Sequence, residues 1–294
     1  MVRLDGKCNC GALSIAVEGH PSIVGICHCT HCRRFTGNVS TYIIAFPINA
    51  AQITGHPAQW TTRADSGYYA TRFFCAKCGS SMYAHHDVRD ARVFINGGHC
   101  TPGTLPPPMQ EFWLRSSETW DTAHPNTLVL ERQITPTLAA PSLPRRISPP
   151  VGLVCGPTAG GCNCGRIQVR LKEIKKTIIC HCSTCRRFTG SVSAYLITAA
   201  RDELEIVGCP KLHGSVADSG NAVTRMFCPV CGSSICIMQD HNPTVEVYGG
   251  ILPPGSLPPP SSERFRHNAE PWAKVYNSVM TSARRSIEGL LNTP

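Results

Sequence analysis

The stretch Ile26–Ser40, ICHCTHCRRFTGNVS, returns at Ile179–Ser193 as ICHCSTCRRFTGSVS. Each copy carries three cysteines in the order C-x-C-x-x-C: Cys27, Cys29 and Cys32, then Cys180, Cys182 and Cys185. Four more cysteines accompany each triplet as two short pairs. Cys8 and Cys10 precede the first triplet, and Cys75 and Cys78 follow it. Cys162 and Cys164 precede the second, and Cys228 and Cys231 follow it. The spacing between equivalent residues is nearly constant along the chain, so the sequence is a tandem duplication. ADSG at Ala64 recurs at Ala217, and Trp120 recurs as Trp272.

The chain has 294 residues, with 16% charged and 42% hydrophobic residues. This is a globular composition. The start, MVRLDGKCNCG, has no apolar run of the signal-peptide kind, and no window is long and apolar enough for a membrane span. The expectation is a soluble cytoplasmic protein with no membrane partner. In a reducing compartment, eighteen cysteines at short spacings point to metal rather than disulfides. The formal charge of +9 suggests a nucleic-acid ligand, but it assumes neutral thiols. Fourteen thiolates holding four Zn²⁺ ions would lower it to about +3. Nucleic acid is therefore not the expected partner, and the sequence leaves the oligomeric state undefined.

The strands are legible from alternation and β-branching. ALSIAV places Leu13, Ile15 and Val17 on one face, and RIQVRL places Ile167, Val169 and Leu171 likewise. STYIIAF, RVFIN and TVEVYGG have strand composition, whereas neither repeat shows a long helical period. The expected fold is all-β: two small, zinc-stapled antiparallel domains at residues 1–134 and 158–280. A Pro-rich linker occupies residues 135–157, and a tail occupies 281–294.

Tetrahedral structural zinc takes four protein ligands, and two pairs supply four. Cys8, Cys10, Cys75 and Cys78 can close one site; Cys162, Cys164, Cys228 and Cys231 can close its twin. Each triplet then offers three ligands and an open position, the usual form of catalytic zinc. The competing reading completes each triplet with a nearby His, such as His28 or His181. Cys100, Cys155, Cys209 and Cys236 have no counterparts and read as small buried hydrophobes. Thr36 and Thr189, and Asp65 and Asp218, read as turn formers before they read as substrate ligands or catalytic bases.

The order C-x-C-G, C-H-C-x-x-C-R-R-x-T-G, F-C-x-x-C-G-S and a late Trp resembles the glutathione-dependent formaldehyde-activating enzyme family, also called the centromere protein V domain family. The resemblance covers nearly all of each repeat. It implies a small all-β fold, structural zinc on the cysteine pairs and catalytic zinc on the triplets. It also implies carbon–sulfur lyase or synthase chemistry on a glutathione adduct, of formaldehyde or of a larger metabolite, with up to four zinc ions and a small-molecule thiol adduct as partner. Arg33, Arg34, Arg186 and Arg187 follow the triplets and are candidates for the carboxylates of glutathione. Many members carry a His and a Lys shortly before the late Trp. Here QEFWLRSSETW and SERFRHNAEPW have no Lys, so a different substrate pocket is expected. A non-enzymatic zinc module binding a protein or polyanion is the alternative.

Overall fold

The computed structural model describes residues 1–87, 91–132 and 158–276. The linker at 135–157, the tail at 281–294 and Cys155 lie outside the described residues. Each copy forms a large sheet and a three-stranded sheet, with two seven-residue helices as the only α-helices among the described residues. In the first copy Val2–Lys7, Ser14–Gly19 and Ala51–Thr54 pair antiparallel. The large sheet has eight strands, with Ile23–Cys27, Thr41–Pro47 and Arg92–Asn96 near its middle. In the second copy the large sheet has seven strands, centred on Thr244–Tyr248, Ala194–Ala200 and Lys176–Cys180.

The alternating faces read from the sequence are the faces that are buried. Leu13, Ile15 and Val17 lie inside one core, and Ile167, Val169 and Leu171 lie inside the other. The sheets are not wholly antiparallel. Gln110–Phe112 pairs parallel with Ile23–Cys27, and Ser262–Arg264 pairs parallel with Lys176–Cys180. These short strands arrive after long connections, which is what a parallel neighbour requires.

The two copies do not keep their hydrophobic residues to themselves. Trp272, from the second copy, packs on the core of the first and stacks on Tyr42 at 5.2 Å. Its indole N–H donates to the Leu105 carbonyl at 3.0 Å. Trp120 makes the mirror contact: it stacks on Tyr195 at 5.6 Å and donates to the Leu257 carbonyl at 2.8 Å. Val39 joins the core of the second copy and Val192 packs on that of the first. Backbone meets backbone as well, with Gly98 N–H bonded to Gly190 O and Gly250 N–H to Gly37 O, both at 2.7 Å. A Cβ at Gly98 would lie 2.4 Å from the Arg186 carbonyl, and one at Gly250 would lie 2.3 Å from that of Arg33. Only glycine fits there. The halves thus form a reciprocal pair around an approximate two-fold relation.

None of the described helices is long and apolar enough to cross a membrane. Cys100 and Cys236 are buried, as their isolation suggested. Cys209 is exposed instead. It lies between Gly208 and Pro210 in the connection from Leu204–Val207 to Lys211–Val216, where no core exists for it to enter.

Candidate metal centres and the adjoining cavity

The fourteen repeated cysteines fall into four clusters: Cys8, Cys10, Cys75 and Cys78; Cys162, Cys164, Cys228 and Cys231; and the two triplets. Within each cluster the sulfurs lie within 4.8 Å of one another. Tetrahedral zinc with bonds near 2.3 Å separates its sulfurs by roughly 3.8 Å. Cys8 Sγ is 3.6 Å from Cys10 Sγ, which is 3.6 Å from Cys75 Sγ. In the second copy the corresponding distances are 3.5 and 3.6 Å. These separations are far beyond a disulfide bond of about 2.05 Å and close to what a shared ion requires.

Local structure prepares the sulfurs for negative charge. Leu13 N–H donates to Cys8 Sγ at 3.3 Å, and Ile167 N–H donates to Cys162 Sγ at 3.2 Å. The hydroxyls of Ser80 and Ser233 lie 3.3 Å from Cys78 Sγ and Cys231 Sγ. Such donors hold thiolates in place, as metal-ligand surroundings do. The residues present therefore fit two closed four-sulfur zinc sites.

Each triplet joins a strand end to a helix. Cys27 ends Ile23–Cys27, flanked across the ladder by Thr41 and Phe112. Cys29 is the N-cap of α1, Thr30–Thr36, and its sulfur accepts from Cys32 N–H at 3.4 Å. Gly37 closes the helix with φ at 74°, a left-handed conformation that glycine adopts without strain. In the second copy Cys182 caps α2, Ser183–Thr189, in the same way. The sequence could not show these helices, because seven residues are too few for a helical period to register.

Asp65 and Asp218 prove to be helix anchors. Asp65 accepts from Thr30 N–H at 2.8 Å and pairs with His31 at 2.5 Å. Asp218 accepts from Ser183 N–H at 2.6 Å and Thr184 N–H at 3.2 Å. A carboxylate here satisfies free N–H groups and complements the helix dipole. The ADSG loop thereby fixes the helix that carries the third sulfur. Thr36 and Thr189 also serve the backbone, donating to the carbonyls of Cys32 and Cys185 at 3.0 Å.

His28 completes no metal site. Its ring is buried and its Nε2 lies 2.9 Å from Glu111, with Asp121 3.8 Å from Nδ1. Burial tends to raise the Glu111 carboxyl, but the bond with His28, the nearby Lys274 and the His124 N–H hold it below its ordinary value. His181 lies 3.7 Å from Glu263 in the equivalent place. Neither histidine belongs to a metal-type cluster.

The arginine pairs divide. Arg33 and Arg186 are fully buried and turned toward the joint between the halves. Arg33 pairs with Glu118 at 2.5 Å, and Glu118 also accepts from Leu257 N–H at 3.0 Å. Arg186 pairs with Glu270 at 2.5 Å, and Glu270 also accepts from Gly103 N–H at 3.0 Å. A guanidinium committed to a buried carboxylate in this way is not free for a glutathione carboxylate. Arg34 and Arg187, one helical step round, are half-buried.

A cavity of about 50 Å³ adjoins Cys27, Cys29 and Cys32. Ile23, Ile43, Phe94 and Phe112 provide apolar walls. Arg72, His86, Asn96 and Trp113 supply polar or aromatic groups. Arg72 is buried, and its Nη1 has no hydrogen-bond partner. His86 stacks on Phe94 at 4.5 Å, and burial pushes its imidazole down to about 4. Even without an ion, bonds from Cys27 and Cys29, with Arg72 and His86 nearby, hold the Cys32 thiol well below its usual range. Cys32 is partly exposed, unlike its neighbours. The chemistry of this donor set fits a zinc ion with three protein ligands and access from one side. Sequence reasoning missed Arg72, His86, Asn96 and Trp113. Arg72 and its repeat Arg225 follow the same Thr in ATRFF and VTRMF, the one signal that was available.

A family model described as glutathione-dependent formaldehyde-activating enzyme matches residues 3–116 and again 157–274. No curated protein matches the chain. Among solved structures, a Rhodobacter sphaeroides protein is similar at 23% identity, covering 36% of this chain and 98% of its own, with a TM-score of 0.29.

Proposed function

Because the chain belongs to the glutathione-dependent formaldehyde-activating enzyme family, we propose that it is a zinc-dependent carbon–sulfur lyase or synthase acting on a glutathione adduct. The observation that carries this reading is the cavity opening on Cys27, Cys29 and Cys32, with Arg72 and His86 in its wall. A scaffold module has no use for a buried guanidinium with an unpartnered Nη1 beside three sulfurs. Zinc held there would lower the pKa of an incoming thiol and polarise a carbonyl or hydroxyl oxygen.

The chain's own residues supply the rest. In the synthetic direction the glutathione sulfur bonds to the aldehyde carbon, and the carbonyl π pair moves onto oxygen. The Arg72 Nη1 N–H is available to that oxygen as its charge builds. The His86 ring stands in the cavity wall, where it can relay the thiol proton to the oxygen. Ile23, Ile43, Phe94 and Phe112 exclude water from the reacting carbon. Lysis runs through the same contacts in reverse. Arg115 lies 4.8 Å over the ring of Trp113, which lines the cavity. It offers a cation at the mouth for a glutathione carboxylate, with Arg34 as a second candidate.

The described cysteines are all free thiols, in keeping with action in a reducing compartment such as the cytoplasm. The test is exchange between free formaldehyde and S-hydroxymethylglutathione, followed by magnetisation-transfer NMR. Release of glutathione from larger conjugates is assayed in parallel. The zinc-loaded protein should accelerate at least one reaction, and Cys29→Ser should abolish the gain. Lack of acceleration with every adduct refutes the proposal.

A further inference from the structure

The two triplets repeat in sequence, but their surroundings do not. In the first copy the triplet belongs to a small cluster with Phe112 and Trp113 and faces the cavity. In the second copy Cys180, Cys182 and Cys185 lie inside a much larger apolar cluster, and all three are buried. The principal change is at one position of the central strand. Asn96, which lines the first cavity, is replaced by Tyr248. Tyr248 is 0% exposed and packs in the same cluster as the second triplet. Its ring stacks at 5.3 Å on Phe188, the counterpart of the cavity-lining Phe35.

Other replacements act in the same direction. Ala84 lines the first cavity; its counterpart Ile237 is buried in the second cluster. Tyr in place of Asn adds four heavy atoms, and Ile in place of Ala adds three. A cavity of about 50 Å³ has room for only a few water-sized groups. The polar equipment is also altered. Thr41 becomes Ala194, and His86 becomes Gln239. Arg225, the counterpart of Arg72, gives its Nη1 to Ser215 at 2.6 Å, whereas Arg72 Nη1 has no partner. At the mouth, Phe94 and Phe112 become Glu246 and Arg264, which pair with each other at 2.9 Å across the entrance strands.

We propose that only the first triplet admits a ligand to its metal, and that Tyr248 seals the second as a closed structural centre. The duplicated chain then has one working site per two copies. This inference rests on the open-position reading of the first site. It also explains why the second triplet persists although its pocket has lost its chemistry. Cys182 caps α2, and Gly190 at the end of α2 bonds to Gly98 of the first copy. The second metal would hold the helix against which the working half is packed.

The experiment uses the full chain with cobalt in place of zinc and 2-mercaptoethanol, a small thiol without carboxylates, as probe. Thiol entry alters the visible bands of a three-sulfur cobalt site. In the parent, one cobalt per chain should respond. In Tyr248→Asn/Ile237→Ala, two should respond. In Asn96→Tyr, none should, with metal content unchanged. The double variant gains a response, and misfolding cannot mimic a gain. Two responding ions in the parent overturn this inference and leave the proposed chemistry standing. No response in the parent removes both. A double variant that still responds at one site removes Tyr248 as the seal.

Discussion

Removing the Trp272 side chain should damage the half of the molecule to which it does not belong in sequence. The indole stacks on Tyr42 at 5.2 Å and donates to Leu105 O at 3.0 Å, both in the first copy. Trp272 is only partly buried, so Trp272→Ala forfeits about 2–3 kcal/mol of packing, below the cost for a fully enclosed ring. The lost hydrogen bond adds about 1 kcal/mol. The total of roughly 3–4 kcal/mol corresponds to a fall in Tm of roughly 6–8 °C for a folded unit of this size. Trp272→Phe keeps the stack and loses the bond, so it should cost about 1–2 kcal/mol.

Scanning calorimetry with zinc in the buffer reads the magnitude, and hydrogen exchange reads the location. The parent should unfold in one transition, because each core contains residues of both copies. In Trp272→Ala, protection should fall first in Thr41–Pro47, the strand of Tyr42, while Ala194–Ala200 stays closer to the parent. Trp120→Ala should reverse the pattern, since Trp120 stacks on Tyr195. Two independent transitions in the parent, with Trp272→Ala lowering only that of the second copy, would refute the exchanged arrangement.

The division of cysteines predicts two different failures. Cys78→Ser opens a four-sulfur site that ties the start of the chain to its middle, so soluble yield and zinc content should fall together. Cys29→Ser leaves that site intact and should lose thiol binding with a Tm within a few degrees of the parent; equal melting of both variants and the parent refutes the division. His99 supplies the pH dependence. Its ring is buried, it bonds to Ser81 O at 2.6 Å, and burial holds its pKa at about 4. The unfolded chain binds that proton near 6.5, so the contribution is complete above 6.5 and is lost as pH falls toward 4. The full loss is roughly 3 kcal/mol. An NMR titration should find His99 still neutral at pH 5.5; a midpoint near 6.5 would contradict its burial.

Different features of the molecule were legible in the sequence to different degrees, for physical reasons. Sulfur partition was legible because tetrahedral coordination counts ligands, and two pairs plus a triplet can be counted. Core strands were legible because Leu13, Ile15 and Val17 must alternate to reach one face. The fate of Arg33 was not. RR adjacent to a metal loop looks like an anion site, yet a helix turns successive residues by about 100°, and the turn sends Arg33 inward to Glu118 while Arg34 is left half-buried. Glu118 itself offered no periodic signal, since it sits in an irregular connection.

Duplication hid the most consequential difference. Matching residues at a constant offset makes the copies look equivalent, and the seven cysteines of each encourage that view. Zinc ligands, however, specify only that metal is held. Whether a ligand can reach it depends on side-chain volume beside the sulfurs, which repeats less faithfully. Asn96 and Tyr248 occupy the same strand position, paired with Ile43 and Leu196 respectively, and the ladder is the same with either. A copy can therefore retain every metal ligand while losing access to the metal. If the first copy carries the reaction, selection on the second acts through the joint, where Trp272, Glu270 and Gly250 each contact the first half. Substitutions at those three positions should then lower turnover in the first site more than substitutions beside the second triplet, such as Gln239→Ala, and a mutational scan read out by activity per bound zinc would show the reverse if both sites worked.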